Sequence, residues 1–174
     1  IMKRIAITAS AFVLAGVIAS AAPMAAAKPA TALFAGGCFW SMESAFEKVY
    51  GVISAVSGYT GGTSARPTYE TYERGGHVEA VLVTFDPSRV SYAALLDVFW
   101  RHVDPTDAGG QFYDRGPNYR TVVYWADDAQ RATNQAACAM WPLSQCSRFI
   151  DSVALAFAYC NHGNNQLCIH HVVD

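Results

Sequence analysis

The sequence predicts an α+β domain: a two-layer plait of the ferredoxin-like, split β-α-β kind, with a mostly antiparallel sheet covered by helices on one side. Three observations lead there. Apolar periodicity runs along the chain in the order β-α-β-β-α-β-α. Hydrophobic residues make up 52% and charged residues 15% of 174, enough for one buried core and too apolar for a disordered or fibrous chain. Gly, Pro, Ser and Asp fall at the transitions between segments, where turns and caps are needed.

The first 27 residues stand outside that fold. Met2-Lys3-Arg4, the apolar stretch Ile5 to Ala22 and then Ala25-Ala26-Ala27 read as a secretory signal peptide, which places the mature protein in the periplasm or outside the cell. Ser10, Gly16, Ser20 and Pro23 interrupt the stretch, so a permanent membrane span is disfavoured and no stable membrane association is expected after cleavage. The formal charge is −2, and losing Lys3 and Arg4 leaves ten basic against fourteen acidic residues. No basic stripe of a nucleic-acid binder is present.

The domain is expected over 28–137. Thr31 to Ala35 is a short apolar strand ending at Gly36-Gly37, and Cys38 to Val49 follows as a helix with Met42, Ala45, Phe46 and Val49 at helical spacing. Val52 to Ser57 reads as a strand closed by the loop Gly58-Tyr59-Thr60-Gly61-Gly62, and the polar, turn-rich stretch up to Gly76 as a functional loop. His77 to Phe85 is β-prone and stops at Asp86-Pro87. Ser91 caps a helix whose Leu95, Leu96, Phe99 and Trp100 form one apolar face. Asp107 to Asn118 is a second loop, Tyr119 to Trp125 a strand, and Asp127 or Asp128 caps a last helix toward Met140.

Chemistry concentrates at Cys38. A thiol attacks as its anion, and the Gly36-Gly37-Cys38 turn sets it at the positive end of a helix, where the anion is favoured. Phe39 and Trp40 add two aromatic faces. Glu79 interrupts the apolar run His77-Val78-Glu79-Ala80-Val81-Leu82-Val83, so its carboxyl is expected to be desolvated, held protonated and able to donate a proton. His77 is the nearby alternative as a base for Cys38.

Taken together, Gly36-Gly37-Cys38-Phe39-Trp40, Gly58-Tyr59-Thr60-Gly61-Gly62, Pro67-Thr68-Tyr69-Glu70, Gly76-His77-Val78-Glu79, Phe85-Asp86-Pro87, Asp104-Pro105-Thr106 and Tyr119-Arg120-Thr121 resemble, in order and spacing, the class A peptide methionine sulfoxide reductases over about 32–131. The resemblance implies that Cys38 attacks the sulfoxide sulfur and becomes a sulfenic acid. It implies that Glu79 donates the proton, that Tyr69 and Tyr119 hydrogen-bond the sulfoxide oxygen, that Phe39 and Trp40 grip the methyl group, and that Asp114 supports the substrate. It implies reduction of methionine-S-sulfoxide, in proteins and as the free amino acid, recycling by a thioredoxin-like dithiol, and no metal or organic cofactor.

Residues 138–174 break the pattern. Arg148, Asp151 and Asp174 are their only charged residues, beside Cys138, Cys146, Cys160, Cys168 and three histidines, and the family's C-terminal motifs have no counterpart there. A shifted reading frame and a divergent native tail both produce such a break. Any of the four cysteines is a candidate to resolve the sulfenic acid, because Tyr113 stands where one branch of the family carries a loop cysteine. Cys160-x-His162 and Cys168-x-His170-His171 lack the spacing of common zinc sites. Two other functions are carried alongside: a hydrolase or acyltransferase using Cys38, His77 and Asp114, and a silent relative that binds oxidised methionine without turnover.

Overall fold

The structure is a computed structural model and describes residues 27–140, 150–152, 157–160 and 168–171. The segment before residue 27, Cys146 and His162 lie outside the described residues. In chain order the elements are β1 (Ala30–Gly36), α1 (Phe39–Glu47), β2 (Val52–Thr60), β3 (Val78–Phe85), α2 (Tyr92–His102), β4 (Gly110–Gln111), β5 (Asp114–Arg115), a 3₁₀ turn (Pro117–Tyr119), β6 (Thr121–Trp125), α3 (Asp128–Met140), β7 (Ile150–Ser152), β8 (Phe157–Cys160) and β9 (Cys168–His171). Among the described residues no helix is long and apolar enough to cross a membrane.

The large sheet has the order β7-β6-β1-β3-β2-β8-β9. Its centre is the predicted plait: β3 lies between β1 and β2 and is antiparallel to both, so β1-α1-β2 is a β-α-β unit split by a third strand. β6 pairs antiparallel with the other side of β1. The pairings fix the strand order, which an apolar pattern alone leaves open. The segment after 137 contributes to both edges, with β7 parallel to β6, β8 antiparallel to β2, and β9 set against β8 so that Cys160 and Cys168 are register partners.

Alternation along the central strands separates two apolar clusters. Ala32, Phe34, Val81, Val83 and Phe85 join Met42 and Phe46 of α1 and Leu95, Leu96, Phe99 and Trp100 of α2 in the larger one. Leu33, Ala35, Val78, Ala80, Leu82, Val122 and Tyr124 form the second on the opposite face. Phe34 stacks on Phe46 at 4.9 Å and on Phe99 at 5.2 Å, which ties both helices to β1. Both later caps form as the sequence predicts. Ser91 Oγ accepts from the Ala94 N–H at 3.1 Å, and Asp127 Oδ1 from the Gln130 N–H at 2.7 Å.

Most boundaries shift by one or two residues from the sequence reading, and one shifts further for a tertiary reason. Cys38 is the N-cap of α1 and the helix starts at Phe39. β2 continues through Gly58, Tyr59 and Thr60, because these pair with Ala80, Glu79 and Val78 of β3 and Tyr59 is buried. Strand pairing thus overrides the glycine turn signal, and the turn begins at Gly61, with φ +78°. Tyr119 closes the 3₁₀ turn ahead of β6.

Candidate active site

The site starts at the crossing from β1 to α1. Gly37 has φ +84°, and a Cβ there would lie 2.6 Å from Cβ of Gln111, so both backbone conformation and space demand glycine. Gln111 is buried and its amide spans the loop: Oε1 accepts from the Asp104 N–H at 2.7 Å and Nε2 donates to the Asp104 carbonyl and Thr121 Oγ1, each at 2.9 Å. The loop before β5 is therefore pinned against the Gly37–Cys38 turn. Cys38 follows as the partly exposed N-cap, its carbonyl accepting from the Ser41 and Met42 N–H groups.

A helix leaves its first N–H groups without internal partners. In α1 the Cys38 side chain makes no capping hydrogen bond; instead the Phe39 N–H donates to Glu79 Oε2 at 2.9 Å. A carboxyl from the adjacent strand β3 thus caps the helix that presents the thiol. Glu79 can do this because β3 alternates: it shares a face with Val81 and Val83, toward α1, while Val78 and Ala80 face the other cluster. The sequence reading of Glu79 as a buried carboxyl holds, since it is only 2% exposed.

Its second oxygen completes a polar chain. Tyr72 OH donates to Glu79 Oε1 at 2.8 Å, Tyr72 and Tyr119 hydroxyls lie 3.3 Å apart, and Asn118 Nδ2 donates to Tyr72 OH at 3.1 Å. Desolvation pushes the Glu79 carboxyl up from its ordinary range, and the charges of Asp114 and Glu73 act the same way. The Phe39 N–H and Tyr72 O–H bonds oppose them without reversing the net direction. Burial is also the main reason that the Tyr72 and Tyr119 phenols are raised, so both stay protonated donors.

The aromatic residues divide into core and surface. Phe39 is buried, with its ring 5.5 Å from Tyr59 and 5.3 Å from Trp40. Trp40 is 46% exposed and stacks on Tyr69, itself 50% exposed, at 5.9 Å between centroids. Trp40 and Tyr69 therefore offer the accessible apolar wall, with Phe39 behind it. Asp114 lies on the short β4-β5 ribbon, near enough for its charge to act on Glu79 and Tyr119.

Of the residues singled out by sequence, Cys38, Phe39, Trp40, Glu79 and Tyr119 come together at one end of the sheet, with Asp114 close by. Tyr69 joins them through Trp40, while the phenol bonded to Glu79 is that of Tyr72. His77 Nε2 sits 2.7 Å from Ser64 Oγ and 3.1 Å from the Ser64 carbonyl. Tyr72, Asn118 and Gln111 were missed. Their only sequence signal is a polar or aromatic residue in a turn-rich stretch, which does not distinguish an inward side chain from a solvated one.

Comparison with known proteins gives this site a relationship. The family model for peptide methionine sulfoxide reductase matches residues 30–158. The chain belongs to that family. Peptide methionine sulfoxide reductase MsrA 2 of Rhizobium meliloti is 56% identical over 108 residues, 62% of this chain and 54% of the relative. The MsrA 2 of Caulobacter vibrioides is 52% identical over 125 residues, 71% of this chain and 63% of the relative. The chain thus spans little more than half the length of the first of these relatives. Methionine sulfoxide reductase A of Corynebacterium diphtheriae superposes with a TM-score of 0.58 at 31% identity, over 64% of this chain and 53% of that one. Reduced Mxr1 of Saccharomyces cerevisiae, at 24% identity, a TM-score of 0.61 and coverage of 72% and 74%, shares the fold. Mxr1 has also been solved in complex with Trx2.

Proposed function

We propose that this chain reduces methionine-S-sulfoxide, in oxidised proteins or peptides and as free methionine, back to methionine. The observation that carries the reading is the Glu79 carboxyl, buried and held on the N–H beside the partly exposed Cys38, within a chain of family membership. A sulfoxide sulfur is a weak electrophile until its oxygen is protonated or hydrogen-bonded, and Glu79 with the phenols supplies that assistance. Cys38 attacks the activated sulfur as its thiolate. In balance, one thiolate, one proton and one sulfoxide give methionine and a Cys38 sulfenic acid, with two electrons passing from the cysteine sulfur to the methionine sulfur. Phe39, Trp40 and Asp114 hold the substrate. The chemistry needs no metal or organic cofactor.

A second thiol then attacks the sulfenic acid, releasing water and forming a disulfide. We assign that thiol to the set Cys138, Cys146, Cys160 and Cys168, and the final reductant to a thioredoxin-like dithiol. The yeast Mxr1–Trx2 complex supports the latter as a partner class. The signal-peptide pattern over 1–27 supports work in the periplasm or outside the cell.

Single-turnover assay of the pre-reduced protein on separated epimers of a methionine sulfoxide peptide tests the reading. One equivalent of methionine from the S epimer alone, lost in Cys38→Ser, is expected. Ester hydrolysis without a reductant, or tight binding with no product from either epimer, overturns it.

A further inference from the structure

We propose that Tyr72, and not Tyr69, is the phenol through which Glu79 passes its proton, by way of Tyr119, toward the open side of the site. The inference rests on the reductase reading above and adds to it the route of the proton. Its basis is a count of hydrogens along the chain Phe39 N, Glu79, Tyr72, Tyr119. Glu79 Oε2 is occupied by the Phe39 N–H, so a proton carried by the carboxyl belongs on Oε1, the atom facing Tyr72 OH at 2.8 Å. Tyr72 has one hydrogen and two neighbours that can accept it, Glu79 and Tyr119. Its oxygen also accepts from Asn118, which fixes the hydroxyl in place.

Two arrangements follow from that count. With Glu79 neutral, Oε1–H donates to Tyr72, Tyr72 donates to Tyr119, and the Tyr119 hydrogen is left to point outward. With Glu79 ionised, Tyr72 donates back to Oε1 and Tyr119 donates to Tyr72. Passing from the first to the second moves one proton from the carboxyl to an acceptor beside Tyr119, by three short transfers and with no side chain leaving its place. Tyr119 is partly exposed whereas Glu79 and Tyr72 are buried, so the proton leaves the chain at its one accessible hydroxyl. Tyr72 is held for this task by its ring, which lies on Tyr59 at 4.6 Å and 19°.

Tyr69 has a different placement. It is half exposed, its ring is stacked on Trp40 and tilted against Tyr72 at 6.1 Å, and its phenol acts on Tyr119 through charge alone while Tyr72 is hydrogen-bonded to both Glu79 and Tyr119. Its part is apolar contact. The groups that face Glu79 from the surrounding elements are Tyr72, the Phe39 N–H, and the carboxylates of Asp114 and Glu73; Tyr119 acts on it through Tyr72. Among them only Tyr72 is a hydroxyl that donates to the carboxylate, and so the only one that can both give and take a proton.

The test compares Tyr72→Phe with Tyr69→Phe, both keeping the ring, with circular dichroism to confirm folding. Two readouts are taken: the single-turnover rate on the S epimer, and the Glu79 titration followed by carboxyl infrared bands with Glu79→Gln as the blank. In Tyr72→Phe the rate should fall at least tenfold below that of Tyr69→Phe, and the Glu79 titration should move to higher pH, since a donor to the carboxylate has been lost. The opposite ranking of rates, or an unmoved titration in a folded Tyr72→Phe, overturns the proposal while leaving the reductase reading intact. Absence of product from either epimer with the wild-type protein overturns the reductase reading and, with it, the role of the chain in catalysis.

Discussion

Glu79 and Asp107 each accept a backbone N–H, and their surroundings drive the two carboxyl groups in opposite directions. Glu79 takes the Phe39 N–H inside the core, where desolvation dominates and raises it. Asp107 takes the Gly109 N–H at the surface and is bound by Arg115, whose hydrogen bond is the main cause of its depression. The hydrogen bonds are alike; the water is not. Inside the sheet the neutral acid is the stable form and is available to donate, whereas at the loop the charged form is stable and serves only to tie Asp107 to β5.

The largest expected effect is the loss of the nucleophile, since Cys38→Ser should give no methionine in single turnover. Next, Glu79→Gln keeps the Phe39 cap and the shape but has no acidic proton, so the rate should drop on the order of 10²-fold or more while the fold persists. An unchanged rate removes Glu79 from the mechanism. Gly37→Ala forces a left-handed φ on alanine and drives its Cβ into Gln111, which should cost about 1–3 kcal/mol and misplace Cys38, seen as a lower Tm together with a slower reaction.

Stability should also depend on pH through Glu79. Burial holds its folded value above the ordinary glutamate range, so the folded state holds the proton more tightly than the unfolded chain. The resulting stabilisation is fully present below the unfolded value and is lost as pH rises through the folded one. Urea titrations across that window should show stability falling with pH in wild type and a flatter dependence in Glu79→Gln. The smallest effect belongs to the surface pair. Arg115→Ala should leave Tm almost unchanged and sensitive to salt only slightly, because both partners are solvated; a large loss would mean that the β4-β5 ribbon depends on the pair more than on Gln111.

Much of this was legible in the residues. The β-prone apolar run around Glu79 gave both its strand and its burial; Ser91 and the 95, 96, 99, 100 spacing gave α2 and its buried face. What escaped were features fixed by partners distant in sequence. Gly58-Tyr59 has the local marks of a turn and becomes strand because β3 pairs with it. Tyr69 sits in the matching motif, but the chain between it and Glu79 folds so that the phenol three residues on reaches the carboxyl. Gln111 follows Gly109-Gly110 in a turn-rich loop and reads as solvated, and only the close approach of Gly37 shows why it is buried.

The central claim is that a buried, protonated Glu79 activates the sulfoxide for Cys38. The pH dependence of the single-turnover rate on the S epimer, measured for wild type and Glu79→Gln, tests it most directly. A wild-type rate that falls through one ionisation above the ordinary carboxyl range, beside a slow Glu79→Gln reaction lacking that ionisation, is the result predicted. A Glu79→Gln protein with the wild-type rate and the wild-type pH profile would contradict it.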